Sequence, residues 1–234
     1  MRLAVVGTGL IGASAALAAR RAGITDVTGW DEDPETLEVA VERGAVAAAP
    51  SLAASLADAD VALVAVPVAV LPAIVQDVLA LAPATCTVTD AGSTKGAVCA
   101  AAGDDSRFVG GHPICGAETR GPARASADLF EGATWFLSPL ATTDPERYRA
   151  VHSFVGSLGA RPFAIDPSAH DRLVAVTSHL PHALANVLLN QAGSSRVDGH
   201  DPLAAAGGSL RDMTRIAGAN PRIWIDIFLE NSQA

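Results

Sequence analysis

A short apolar run at 3–6 leads straight into Gly7-Thr8-Gly9-Leu10-Ile11-Gly12, and an alanine-rich stretch with helical character follows at 12–22. Few arrangements accept glycines at these three places between a strand and a helix. Gly7 permits the tight turn, Gly9 lets a pyrophosphate approach the backbone, and Gly12 lets helix and strand pack closely. The helix N-terminus then offers free N–H groups and a positive dipole end to the phosphates. Further apolar runs at 27–30, 60–67, 86–89, 107–110, 135–137 and 161–165 alternate with helical stretches at 34–43, 70–81 and 145–158. Runs without polar alternation indicate a parallel sheet covered on both faces. After Asp166-Pro167 the strand signal stops. Helical spacing holds over 168–190, where Pro181 should kink or end the helix, then a polar loop at 193–202 precedes helices at 203–216 and 221–229. The expected fold is α/β: a doubly wound, mostly parallel Rossmann-type sheet over 1–165, then a short all-helical domain over 166–234.

The glycine turn alone is a weak signal, but Asp31 lies nineteen residues beyond Gly12, at the end of the second strand. A carboxylate there accepts bonds from a ribose 2′-OH and repels a 2′-phosphate. The bland alternative is a solvated turn residue or the N-cap side of the next helix. The expected cofactor is NAD rather than NADP, bound by Gly7, Gly9, Leu10, Ile11, Gly12 and Asp31 together with Val66 and Pro67.

Composition narrows the remaining classes. Half of the 234 residues are hydrophobic and only 18% are charged, which excludes disorder. Sixteen cations against 25 carboxylates leave a net charge of −9, so no basic face is expected and nucleic acid is excluded as a partner. The cations are fifteen Arg and one Lys, Lys95. Cys86, Cys99 and Cys115 lack metal or redox spacing and read as thiols in a reducing compartment. The longest apolar stretch, 61–75, is broken by Pro67 and Pro72 and is too short for a bilayer span. The N-terminus imitates a signal peptide, yet its glycines and the Arg20-Arg21 pair fit one poorly. A cytoplasmic protein with no membrane partner is expected.

Two segments carry chemistry. Asp90-Ala91-Gly92-Ser93-Thr94-Lys95-Gly96 follows one strand, and Gly110-Gly111-His112-Pro113-Ile114-Cys115-Gly116-Ala117-Glu118 follows the next. Loops after strand C-termini line the ligand crevice of a doubly wound sheet, so both should face the cofactor. A third cluster lies in the helical region: His170-Asp171, Ser178-His179-Leu180-Pro181-His182 and Arg211-Asp212-Met213-Thr214-Arg215. His170, His179 and His182 could suggest a metal site. Pro181 spoils the regular pair, and no cysteine or carboxylate completes the set, so no metal is expected.

With GTGLIG at 7–12, DAGSTKG at 90–96, GGHPICGAETRG at 110–121, HDRLVAVTSHLPHALA at 170–185 and LRDMTRIAGANPRIW at 210–224, the chain resembles the prephenate/arogenate dehydrogenase family of tyrosine biosynthesis. The resemblance implies NAD-dependent oxidative decarboxylation of a small anionic cyclohexadienol. Prephenate would give 4-hydroxyphenylpyruvate, and arogenate or another amino-substituted analogue would be the alternative substrate. Hydride loss from C4 needs a group to accept the 4-hydroxyl proton, and a neutral histidine does this near neutral pH. His112 matches the family's catalytic histidine, and Ser93, the motif serine, would hold His112 or the hydroxyl in line. Arg215 matches the residue for the ring carboxylate and His182 the contact to the substrate side chain. Arg211 is a further substrate candidate or a solvated cation. Glu118 would balance an amino group or gate the pocket, unless it simply faces solvent. Lys95 would pair with Asp90 or raise the local potential, with the structural role favoured. A homodimer through the helical part is expected. Family members ordinarily continue with further helices that pack in the dimer, whereas this sequence stops at Ala234. Two readings compete: another Rossmann-plus-helical dehydrogenase, which would want an acid such as Lys in the helical region, where none stands, and a catalytically silent NAD-binding regulatory module.

Overall fold

In the computed structural model, which describes residues 1–115, 121–218 and 220–234, the glycine turn joins β1 (Arg2–Val6) to α1 (Leu10–Arg21). The chain continues through β2 (Asp26–Trp30), α2 (Pro34–Glu42), β3 (Ala47–Ala48), α3 (Leu52–Leu56), β4 (Val61–Val64) and α4 (Leu71–Leu81). Then come β5 (Thr87–Asp90), α5 (Gly96–Ala102), β6 (Phe108–Pro113), β7 (Thr134–Pro139), α6 (Pro145–Ser157) and β8 (Arg161–Ala164). These strands form one sheet in the order β3-β2-β1-β4-β5-β6-β7-β8.

Successive residues of the central strands feed different cores. Leu3, Val5, Val61 and Leu63 point into a cluster shared with α1, α2 and α6, while Ala4, Val6, Ala62 and Val64 join one shared with α3, α4 and α5. Both faces are therefore dry, which is why these strands show no polar alternation. Alanine lines the buried side of α1 at 13, 15, 16, 18 and 19, so the helix lies close on the sheet. Gly12 completes that fit: a Cβ there would stand 1.9 Å from the Gly7 carbonyl oxygen.

The register sets the site. Val6 pairs with Trp30 on one side and Val64 on the other, and Val64 pairs with Asp90, so four strands end level. The loops beginning at Gly7, Asp31, Ala65 and Ala91 leave along this one edge. Pairing between β5 and β6 ends at Thr89↔Val109. β6 runs on past the edge, held on its other side by β7, with His112 opposite Phe136.

The architecture is of the expected class, with particular departures. β6 and β7 are antiparallel, so β7 and β8, parallel to each other, run against the remaining strands. The strand expected over 60–67 ends at Val64, leaving Val66 and Pro67 in the loop that leads to α4. β3, α3 and α5 were not anticipated; at two, five and seven residues they are too short to show a period.

Beyond Asp166, whose carboxylate caps α7 (Pro167–Val174) through the N–H groups of Ser168 and Ala169, the described residues form helices and turns. The expected 168–190 helix is split. A π turn at Ala175–His179 separates α7 from α8 (Leu180–Ser194), directly before Pro181, which has no N–H to donate and whose ring crowds the preceding turn. The 203–216 helix contracts to α9 (Gly208–Thr214), because Gly207-Gly208 interrupts it and Pro202–Ala205 makes only a 3₁₀ turn. α10 (Pro221–Glu230) starts at an Asn220 cap followed by Pro221. No helix among the described residues is long and apolar enough to cross a membrane.

Candidate active site

At the cofactor end, Gly7 takes φ +88°, a left-handed conformation that glycine adopts freely, and its N–H donates to the Trp30 carbonyl at 2.9 Å. A side chain on Gly7 would strike the Ala65 carbonyl and Val66 Cγ1, so Val66 borders the turn directly. Gly9 faces open space, with nothing within 4 Å of where its Cβ would lie, and no side chain caps the start of α1. Leu10 and Ile11 are half-buried in its first turn. Asp31 accepts from the Thr8 N–H at 2.6 Å and the Thr8 hydroxyl at 3.2 Å through Oδ2, and from the Asp33 N–H at 3.0 Å through Oδ1. It thus clamps the end of β2 to the glycine turn. An open approach to uncapped amides with a carboxylate alongside fits a dinucleotide's pyrophosphate and ribose. Pro67 is exposed, and its carbonyl accepts from the N–H groups of Val70 and Leu71 to open α4.

Lys95 and Asp90 are both 0% exposed. The Lys95 ammonium donates to Asp90 Oδ2 and, at 2.7 Å, to the Gly111 carbonyl. Asp90 also accepts from the N–H groups of Gly92 and Gly111, at 2.8 and 2.9 Å. Every oxygen of the carboxylate is engaged, so this ion pair rivets the loop after β5 to the projecting end of β6. Lys95 is a structural cation and does not face the crevice. Ser93, half-buried in the same loop, makes no side-chain hydrogen bond among the described residues.

His112 is engaged elsewhere. Its Nδ1 lies 2.8 Å from His170 Nε2, and His170 Nδ1 lies 2.7 Å from Asp171 Oδ1. The same Asp171 carboxylate accepts from the backbone N–H groups of Lys95 and Gly96, at 2.8 and 2.7 Å. His170 is fully buried, edge-on against Phe136 with ring centroids 5.4 Å apart. Burial first, then the neighbouring His170 and Lys95, hold the His112 imidazole well below the usual histidine range. Burial pushes the Asp171 carboxyl up, but the bonds from His170, Lys95 and Gly96 outweigh it and leave it below its ordinary value. A neutral base beside an ionised carboxylate is the result.

On the helical side, His182 stacks on Trp224 of α10, with centroids 3.5 Å apart, and its Nδ1 sits 3.0 Å from the Ser178 carbonyl. His179 packs edge-on against Trp224 and Phe228, and its Nδ1 lies 3.1 Å from Asn231 Nδ2. Asn231 also donates to the Asp171 carbonyl at 2.9 Å, tying the residue after α10 to the histidine chain. His170, His179 and His182 thus hydrogen-bond to different groups, and no group of three or more His, Cys, Asp or Glu among the described residues is placed to hold a metal. Arg215 opens a 3₁₀ turn, Arg215–Gly218, that packs on α8, and both it and Arg211 are exposed. Glu118 lies outside the described residues. The cysteines are unsuited to nucleophilic work, because burial pushes Cys86 and Cys115 up to about 11 and Cys99 to about 12.

Two family models match most of the chain: the prephenate dehydrogenase nucleotide-binding domain over 15–163, and the prephenate dehydrogenase dimerization domain over 166–234. The chain belongs to the prephenate dehydrogenase family. A prephenate dehydrogenase from Lactococcus lactis is 29% identical over 99% of this chain, which spans 65% of that protein's length. The structure of prephenate dehydrogenase from A. aeolicus in complex with hydroxyphenyl propionate and NAD+ is 34% identical, covers 100% of this chain and 84% of its own, and superposes with a TM-score of 0.92. Synechocystis arogenate dehydrogenase is 32% identical over 100% of this chain and 84% of its own, with a TM-score of 0.86.

For a prephenate dehydrogenase family member, the residues absent from the sequence reading are His170 and Asp171 as partners of His112. Both stand in the HDRLVAVTSHLPHALA segment at 170–185, where the sequence suggests a metal role for His170 alone. The available signal was the Asp166-Pro167 helix start, which puts His170 and Asp171 in the opening turns of a helix. Nothing in the sequence showed that this helix docks against the start of α5.

Proposed function

We propose that the chain catalyses NAD-dependent oxidative decarboxylation of prephenate to 4-hydroxyphenylpyruvate. The observation that carries this reading is the place of His112, on the end of β6 that projects past the sheet edge where the glycine turn opens, with burial holding its imidazole well below the usual histidine range. When bound, NAD supplies the hydride acceptor. Gly7, Gly9, Leu10, Ile11 and Gly12 cradle its pyrophosphate, Asp31 accepts from its ribose hydroxyl, and Val66 and Pro67 flank the turn. His112 takes the 4-hydroxyl proton as C4 gives up its hydride and the carbonyl forms. The C1–carboxylate bond then breaks, CO2 leaves, its electron pair makes the ring aromatic, and the C4 oxygen takes its proton back from His112. Ser93, without a side-chain hydrogen bond among the described residues, would steer the hydroxyl. Arg215 and His182 bind the substrate's carboxylate and side chain, with Arg211 and Glu118 as further substrate contacts. The division at 165/166 separates cofactor binding from substrate binding. A cytoplasmic homodimer paired through the helical domain completes the reading.

Arogenate is the second reading, favoured by the likeness to Synechocystis arogenate dehydrogenase. Mixing the protein with NAD and prephenate, then arogenate, and following NADH absorbance tests both. Turnover with prephenate is expected; turnover with neither sinks both readings. Repeating the assay with NADP tests Asp31, since a preference for NADP would remove its assigned role.

A further inference from the structure

The chain of side chains behind His112 does more than anchor it. Asp171 is ionised and acceptor-only, so His170 must carry a proton on Nδ1 to meet it. With that proton on Nδ1 alone, His170 offers only a lone pair at Nε2, and His112 Nδ1, 2.8 Å away, is the donor of that bond. His112 is left with its Nε2 unprotonated. We propose that Asp171 and His170 are positioning residues that lock His112 in the Nδ1–H tautomer and so present Nε2 as the base. This deepens the functional reading above and rests on His112 being the base of that reaction.

The lock is built firmly. His170 is fully buried against Phe136, so its ring has one orientation. Asp171 cannot swing, because the N–H groups of Lys95 and Gly96 hold both its oxygens. When His112 takes a substrate proton on Nε2, the bonds to His170 and Asp171 keep their direction. No group behind the base has to reorganise during the step, which is the condition for electrostatic assistance at low cost. The same residues without a tautomer role would merely fill space, and that difference is measurable.

The test uses the whole protein labelled with ¹⁵N-histidine. Long-range ¹H–¹⁵N spectra distinguish the two neutral tautomers of each imidazole, and His112→Asn identifies the His112 signals by their loss. The expected result is a proton on Nδ1 of both His112 and His170 in the resting protein. His170→Phe should convert His112 to a mixture containing the Nε2–H form and lower kcat at least about tenfold, as tautomer errors do in histidine bases, with KM little changed. His170→Gln places an amide oxygen where Nε2 was and should restore both the Nδ1–H tautomer and most of kcat. A proton on Nε2 of His112 in the unmodified protein overturns the proposal, whether or not the variants fold. So does a His170→Phe protein whose His112 tautomer and kcat are unchanged, or a His170→Gln protein no better than His170→Phe. Absence of turnover on either substrate, with His112 still in the Nδ1–H form, defeats the functional reading and leaves the lock standing.

Discussion

Lys95 shows how one residue's identity can be legible while its role is not. As the sole lysine inside a motif, it marks the catalytic loop, but burial against Asp90 gives it a structural task. Lys95→Met keeps much of its volume and removes its charge, leaving the Asp90 carboxylate buried without a counter-ion. The expected loss is about 3–5 kcal/mol of stability, read as a lower midpoint in urea unfolding; an unchanged midpoint would refute it. His112 gives a prediction in pH. Its imidazole is held below the ordinary histidine range, so it stays neutral and able to accept a proton as pH falls through 6.5. The acid limb of kcat/KM should therefore lie below that value, and a limb centred at or above it would argue against His112 as the base. The glycine turn and Asp31 could be named because a fixed motif spacing links them, even though Asp31 meets Thr8 across 23 positions. His170 could not, since it meets His112 across 58 positions and no such spacing marks the pair.

At the scale of elements, strong periodicity and clear caps made the long helices and central strands readable. α10 begins at its Asn220-Pro221 signal, and α1 follows the glycine turn directly. The short elements failed for want of length, and the reversal at β7 failed for another reason. A buried strand has the same composition whichever way it runs, so apolar runs cannot report direction. Gly12 tests the α1–sheet fit. Gly12→Ala brings a methyl into the Gly7 carbonyl, and α1 must lift from β1. A cost of about 1–3 kcal/mol is expected, as for overpacking elsewhere, with weaker NAD binding in the same variant. Thermal melting with and without NAD would measure both; full stability and affinity together would show that the close approach is unnecessary.

For the whole molecule, the net charge of −9 describes solubility better than binding. The more telling surface lies along the helical domain. Leu173, Val176, Leu180, Leu184 and Val187 follow one another at helical spacing across α7, the π turn and α8, and all are exposed, Val176 at 66% and Val187 at 65%. Such a stripe marks an interaction surface, and the proposed homodimer would cover it. Light scattering at micromolar concentration should give a dimer, and Val187→Glu with Leu184→Glu should give a monomer of unchanged helix content. A monomer from the unmodified protein would refute the pairing.

Asp171 also sits at a seam. One carboxylate grips the amides that open α5 and, in the proposed lock, sets the proton on His112 through His170. On the proposed lock, the chemistry and part of the adhesion between sheet and helical part share one carboxylate. In mild denaturant, amide exchange at Lys95 and Gly96 and loss of the His112 tautomer should rise as one event, well ahead of the exchange of β1 and β4. The proposed activity would then fail by unlatching, with the sheet intact and His112 misdirected.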